Sequence, residues 1–363
     1  FVEEGNCDVY GSIIGGRSHG KATVKRSLAF NALKERGYKG LFACPVLGHW
    51  KSWKQALVPI VEKKHTFDPY ILKDVVDNMV REFSIADLSM LEKYSLDVSI
   101  NGAEGVAFVN GVNRNSSMGF PINKTARYFQ VDLDDDKIEY TEEILAEVRA
   151  IDDCYENKTL YCPVFAASEK DEPRKQSKIE SRSNRVFMGS PRPFLLYARM
   201  YLLSFIRLMQ WNRYLFEAGP GLCAQSSEWM ELYEYLTAFG ENRIVAGDFK
   251  DFDKNQSCDI LWCAFEIIIR LHKEAGWPQE DVDKLYCIAA DTIYTFVNFD
   301  GTLLRFFGSN PSGQPLTVIV NGIVNGIYMR YAYHKTNGEC ESFKDNVHLM
   351  TYGDDNIMGV KEG

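Results

Sequence analysis

Two adjacent carboxylates, Asp354 and Asp355, stand in HLMTYGDDNIMGV between two apolar runs. The flanks have the length and composition of short strands, so the acids read as the turn of a hairpin. A third acid, Asp248, closes the predicted strand in ENRIVAGDFKDFD. Three acids from two adjacent strand ends are expected to converge on one metal pair. Their hard oxygens suit Mg²⁺, whose shell is usually completed by substrate phosphates. Two ions held this way activate an attacking sugar hydroxyl and shield a leaving pyrophosphate. An Asp-Asp pair alone is most often a solvated turn; the apolar strands on both sides make this one more specific.

Asp253 lies five residues beyond Asp248, past the expected strand end, where a carboxylate meets a ribose hydroxyl rather than the metals. Asp251, between them, reads as exposed. NPSGQP is a tight turn ahead of a long helix, and Ser312-Gly313 place helix N-terminal amides where phosphate or ribose can meet them. Thr317 and Asn321 are four apart and share one helix face. With Asp253 and Ser312 they form a candidate hydroxyl-reading network; the alternative is a cap and two satisfied core polar groups. Lys170, Arg174, Lys178 and Arg185 are spaced through KDEPRKQSKIESRSNR. Arg forks and Lys point charges suit a triphosphate, with Asp171, Glu172 and Glu180 holding the arms; a charged surface hairpin is the alternative. SSMGFP, 116–121, is a polar turn whose small residues let a backbone pass close to a bulky ligand.

These residues need a framework. The 363 residues are 45% hydrophobic, enough for a large core in two or three regions. Short helices are expected at 52–64 and 70–88, an acidic surface helix at 141–153, and strands at 160–169 and 186–191. An apolar helix at 193–212 should be buried between layers, with Trp211 in the core. The second half reads strand (241–253), helix (257–276), hairpin about Asp300-Gly301, long helix (316–335), hairpin. That order describes an antiparallel sheet backed by helices, an α+β class. Residues 1–130 read as mixed and loop-heavy.

Net charge is -9, but residues 132–156 alone hold eleven acids against Lys137 and Arg149. The remainder is neutral on balance, and 17–39 carries seven Lys or Arg against Glu35. Segregation of this kind builds a basic channel in an acidic protein. Nine scattered Cys without a C-x-x-C pair fit reduced thiols rather than a disulfide framework or zinc site. No window is long and apolar enough for a membrane span, and FVEEGNCDVYGS is not a signal peptide. The first residue is Phe, which points to a processed product or a fragment.

The ordered set SSMGFP, KDEPR…NRVF, GDFKDFD, NPSGQPLTVIVNG and YGDD resembles the RNA-directed RNA polymerases of positive-strand RNA viruses, most closely the picornavirus-like group. The resemblance spans about two-thirds of the chain, 116–356. It implies a right-hand fold: fingers mainly in 1–240, a palm strand in 241–256, a palm helix and fingers return in 257–291, and a fingers/palm hairpin, long helix and catalytic hairpin in 292–363. It implies metal ligation by Asp248 and Asp354 with Asp355 in support, by Mg²⁺ or Mn²⁺. Nucleotide contacts fall on Asp253, Ser312, Gly313, Thr317, Asn321, Lys170, Arg174, Lys178 and Arg185. Template contacts fall on Ser116, Ser117, Gly119, Phe120 and Pro121. Expected partners are a single-stranded RNA template, an RNA or protein primer, ribonucleoside triphosphates and other viral replication proteins. The expected setting is host cytoplasm, at membrane-associated replication complexes. The chain ends eight residues after Asp355, so the end of the palm and the thumb are expected to be missing. Gln314-Pro315-Leu316 departs from the small-residue pattern of the closest picornavirus enzymes. A reverse transcriptase shares the Y-x-D-D turn but usually carries a bulky aromatic near Asp253. A non-catalytic RNA-binding module is the other alternative.

Overall fold

The computed structural model describes residues 6–17, 20–39, 42–62 and 64–361. Ser18 and His19 of the first basic run, Lys63 in the expected 52–64 helix, and both chain ends lie outside the described residues.

Two sheets organise the molecule. The larger has five strands in the order β1 (Cys7–Ser12), β6 (Thr302–Phe306), β5 (Phe296–Phe299), β2 (Val164–Glu169), β3 (Val186–Gly189). Its β2–β5 pair is parallel and the others antiparallel. The smaller, wholly antiparallel sheet has the order β7 (Val347–Tyr352), β8 (Asp355–Val360), β4 (Ile244–Gly247). The second half of the chain therefore does not fold into one sheet. Its Asp300-Gly301 hairpin joins β1 and β2 instead, because Val297, Phe299, Leu304 and Phe306 bury one face against a different part of the core. Strand β1, formed within the region read as loop-heavy, pairs along β6.

The main helices are α1 (Trp50–Val61), α2 (Pro69–Phe83), α3 (Glu142–Glu156), α4 (Arg192–Trp211), α5 (Glu228–Thr237), α6 (Cys258–Glu274), α7 (Gln279–Ile293) and α8 (Thr317–Asn337). Helix α2 starts on Asp68, whose side chain caps Tyr70 N–H at 3.0 Å with Pro69 in the first turn. Helix α3 is acidic outside but buries Ile144, Val148, Ile151 and Tyr155, so only one face meets water. Helix α4 is buried along its length as expected. Trp211 is the exception: it is 63% exposed, because the helix's last residue overshoots the core.

Helix α8 has no single apolar stripe: it buries residues on every side up to Arg330, with Asn321, Asn325 and Arg330 among them. Its β-branched residues stay helical because packing outweighs their local preference. It stops at Gly338, which takes the left-handed φ of 82°. Helix α8 lies on one face of the small sheet, where Val347 and Leu349 meet Met329 and Tyr333. Met350, one residue out of phase, meets Leu232 and Leu236 of α5 on the other face. Helix α6 packs on α2, α7 and α8 and ties the small sheet's layer to the rest of the core.

Candidate active site

The acidic hairpin is built by a two-residue turn. Tyr352 pairs with Asp355, leaving Gly353 and Asp354 as the loop. Gly353 takes φ +66°, the first-position placement that a tight hairpin turn reserves for glycine. Asn325 of α8 aims its Nδ2 at the carbonyls of Gly353 and Asp354, at 3.3 and 3.2 Å. The turn is thus held from beneath by a buried amide.

Strand β4 pairs beside β8 with Gly247 opposite Asn356. Asp248 follows Gly247 and Asp355 precedes Asn356, so the two acids emerge at neighbouring strand ends. Asp248, Asp354 and Asp355 are all exposed. Among the described residues their carboxylate oxygens have no hydrogen-bond or ion-pair partner in the protein. Among the same residues no three acidic, imidazole or thiol groups close into a ligand cage. Unpaired carboxylates on facing strand ends fit a hard divalent ion that keeps water and substrate oxygens in its shell.

Asp253 sits in the short helix Phe252–Asn255, half-buried beyond the strand end. Burial raises its pKa above the usual carboxylate range; neighbouring Lys254 opposes the shift and the Asp354 charge adds to it. Asp251 is not simply exposed: it takes φ 51° and pairs with Lys254 at 2.9 Å.

The predicted hydroxyl network is only partly assembled. Asn321 is buried, and its Oδ1 accepts from Asn310 Nδ2 at 2.8 Å and Gln256 Nε2 at 2.9 Å. The Thr317 hydroxyl donates within its own turn, toward Pro311 and Gln314 carbonyls at 2.9 and 3.0 Å. Ser312 Oγ accepts from Met188 N–H at a long 3.4 Å. Gly313 lies so close to β3 that a Cβ there would sit 2.5 Å from the Met188 carbonyl oxygen. Asn310, Gln256 and Asn325 are the residues that sequence reasoning missed. The Thr317–Asn321 spacing, carried one more step of four, leads to Asn325; nothing comparable marks Gln256.

The basic arm borders a cleft of about 860 Å³. Arg174, Lys178 and Arg185 line it together with Lys51 and Lys54 of α1 and with Lys250 and Lys254 beyond β4. Glu172 holds Arg174 at 3.0 Å and Arg185 at 3.9 Å, and Asp171 is bound by Thr23 instead. Glu180 takes Gln176 at 3.2 Å rather than a cation. Lys170 is outside this lining; its N–H bonds the Arg185 carbonyl at 2.8 Å.

The 116–121 turn divides. Ser116, Ser117 and Gly119 line a groove of about 370 Å³ with Gly189, Asn298 and Gly313. Phe120 and Pro121 face a separate hollow against Phe194. Gly119 takes φ 77°, and a Cβ there would meet Pro191 Cα at 2.8 Å.

The family model for viral RNA-dependent RNA polymerase matches residues 62–363. The chain belongs to that family. The matched span holds every candidate metal, nucleotide and template residue read from the sequence, while Lys51 and Lys54 of the basic cleft precede it. Among relatives of this polymerase family, the chain is 27% identical over 284 residues to a replicase polyprotein of Drosophila C virus, covering 72% of this chain and 16% of that one. It is 29% identical over 313 residues to an RNA1 polyprotein of Broad bean wilt virus 2, covering 82% and 16%. The chain thus spans about a sixth of these curated relatives. In fold it is similar to a Sicinivirus 3Dpol RNA dependent RNA polymerase, with a TM-score of 0.73 at 17% identity over 94% of this chain and 68% of that one.

Proposed function

We propose that this chain is the catalytic part of a polyprotein-derived enzyme that copies an RNA template from ribonucleoside triphosphates. The observation that carries the reading is the register of β4 against β8, which brings Asp248 and Asp355 to adjoining strand ends with Asp354 beside them in the β7–β8 turn. In this reading Asp248 and Asp354 hold two Mg²⁺ ions and Asp355 supports them. When bound, the ions polarise the primer 3′ oxygen and the pyrophosphate leaving group.

The protein's own groups supply position and charge. Arg174, Lys178, Arg185, Lys250 and Lys254 neutralise the triphosphate in the basic cleft. Asp253 and Asn321 read the ribose. The Ser312-Gly313 turn and the groove at Ser116, Ser117 and Gly119 carry the template past the nascent base pair. The small sheet with α5, α6 and α8 is the palm, and the larger sheet with the basic arm belongs to the fingers. RNA template, primer and nucleotides are the proposed partners.

Extension of an RNA primer with Mg²⁺ or Mn²⁺, in the longest native form containing these residues, tests the activity. Asp354→Asn should abolish it; full activity after that change refutes the assignment. Mn²⁺ binding followed by paramagnetic resonance gives a second readout, and Asp248→Asn should weaken it.

A further inference from the structure

A side-chain amide can usually be turned end for end, exchanging donor for acceptor. Around Asn321 two backbone groups remove that freedom. Leu316 N–H can only donate, and it meets the Gln314 side chain at 2.8 Å, so the atom there is Oε1. Gln314 Nε2 is then the end that meets Asn310, at 3.0 Å, and Asn310 must answer with Oδ1. Asn310 Nδ2 faces the other way, toward the Thr317 carbonyl at 3.2 Å, which can only accept. The same Nδ2 reaches Asn321 at 2.8 Å, so Asn321 presents Oδ1 to it. Gln256 Nε2 caps that oxygen again at 2.9 Å. Asn310 and Gln256 are fully buried, and Gln314 and Asn321 are each 6% exposed.

The consequence falls on the far end of Asn321. Its Nδ2 has no partner among the described residues, and an amide nitrogen donates only. The relay also reaches Asp253, since Asn310 N–H bonds the Asp253 carbonyl at 2.8 Å. No side-chain donor among the described residues meets the Asp253 carboxylate, which takes only the neighbouring Lys254 amide, so a free donor and an acceptor with room for another proton belong to one bonded unit.

We infer that Gln314, Asn310 and Gln256 are positioning residues that fix Asn321 as a donor, so that the site selects a sugar hydroxyl able to accept from Asn321 and donate to Asp253. This rests on the reading in which Asp253 and Asn321 meet the nucleotide's ribose. A 2′-deoxy sugar offers neither function. The Gln314-Pro315-Leu316 segment is the start of this relay, because Leu316 N–H sets its polarity.

Isosteric changes test the polarity without changing the packing volume. Gln314→Glu still accepts from Leu316 N–H but has no proton for Asn310. Asn310→Asp cannot donate to Asn321. Binding of ATP and dATP with Mg²⁺ is measured by titration calorimetry on the unaltered chain and both variants, with thermal unfolding recorded for each. The unaltered chain should prefer ATP about tenfold, the worth of roughly one buried hydrogen bond. Both variants should bring the ratio to about twofold by weakening ATP alone. An unaltered chain that binds neither nucleotide, or both equally, overturns the ribose reading and this inference with it. If the unaltered chain discriminates and both variants keep its ratio, the inference alone fails. Equal weakening of ATP and dATP shows a merely structural role and also overturns it.

Discussion

Arg330 grips both carboxylate oxygens of Glu217, each at 2.8 Å. The guanidinium is fully buried; it also holds Glu82 at 2.6 Å and Asn78 at 3.2 Å. The Glu217 carbonyl in turn accepts from both the N–H and the hydroxyl of Thr351, each at 2.9 Å. A charged cluster inside the core therefore braces the strand that leads into the acidic hairpin. Replacing Arg330 by Met should cost about 3–5 kcal/mol, because two acids are left buried without their cation. Urea unfolding measures this. A loss below about 1 kcal/mol would mean that the acids find other partners.

Asp291 predicts a pH dependence of stability. Burial pushes its pKa up to about 6, against hydrogen bonds from Tyr155 at 2.6 Å and from the Tyr161 and Cys162 amides. An acid whose folded pKa lies above its unfolded one binds its proton more tightly when folded. Its contribution is greatest below about pH 4 and is lost as pH rises to about 6. The loss is roughly 3 kcal/mol by neutral pH. Asp291→Asn should remove this slope. Parallel stability curves for the two proteins between pH 4 and 7 would count against it.

The basic cleft should act on nucleotide capture. Lys54 and Lys250 line it from opposite parts of the chain, and neither has an ion-pair partner among the described residues. Lys54→Ala or Lys250→Ala should raise the nucleotide KM about fivefold at low salt with kcat nearly unchanged. The difference should shrink in high salt. Steady-state extension across a salt series checks this, and a fall in kcat alone would contradict it.

Gly313→Ala probes the turn before α8. The added methyl would sit 2.5 Å from the Met188 carbonyl oxygen, and backbone on both sides cannot move apart cheaply. The expected cost is about 1–3 kcal/mol. Extension should fall more than tenfold, since the turn lies between the template groove and the Asn321 relay. An unchanged rate would mean that this turn is not part of the working site.

How much of this was legible follows from how local each signal is. The acidic hairpin, α6 and α8 are written in short-range patterning, and their positions agree with it closely. The apolar run of α4 announced a buried helix, but not that Trp211 would pass beyond the core. Strand partners were not legible, because alternation says which face is buried and not which strand lies alongside. That is why β5 and β6 turned out to belong with β1 and β2. At the site, the residue types and spacing of Asp248, Asp354 and Asn321 stood out, whereas Asn310 and Gln256 did not. Their importance lies in which end of each amide faces which neighbour, and that depends on backbone groups brought together by folding.

The β4–β8 pairing also has a consequence in time. Gly247 is made roughly a hundred residues before its partner Asn356. At about 5–20 residues per second, the ribosome leaves β4 without its neighbour for on the order of 5–20 s. Through that interval one acid is on the nascent chain and its companions have not been synthesised. The three-carboxylate cluster cannot be assembled piecemeal as the polypeptide emerges; it appears only when β8 pairs with β4. Until the β7–β8 turn is in place, the emerging chain carries Asp248 without the two acids that stand beside it in the folded protein.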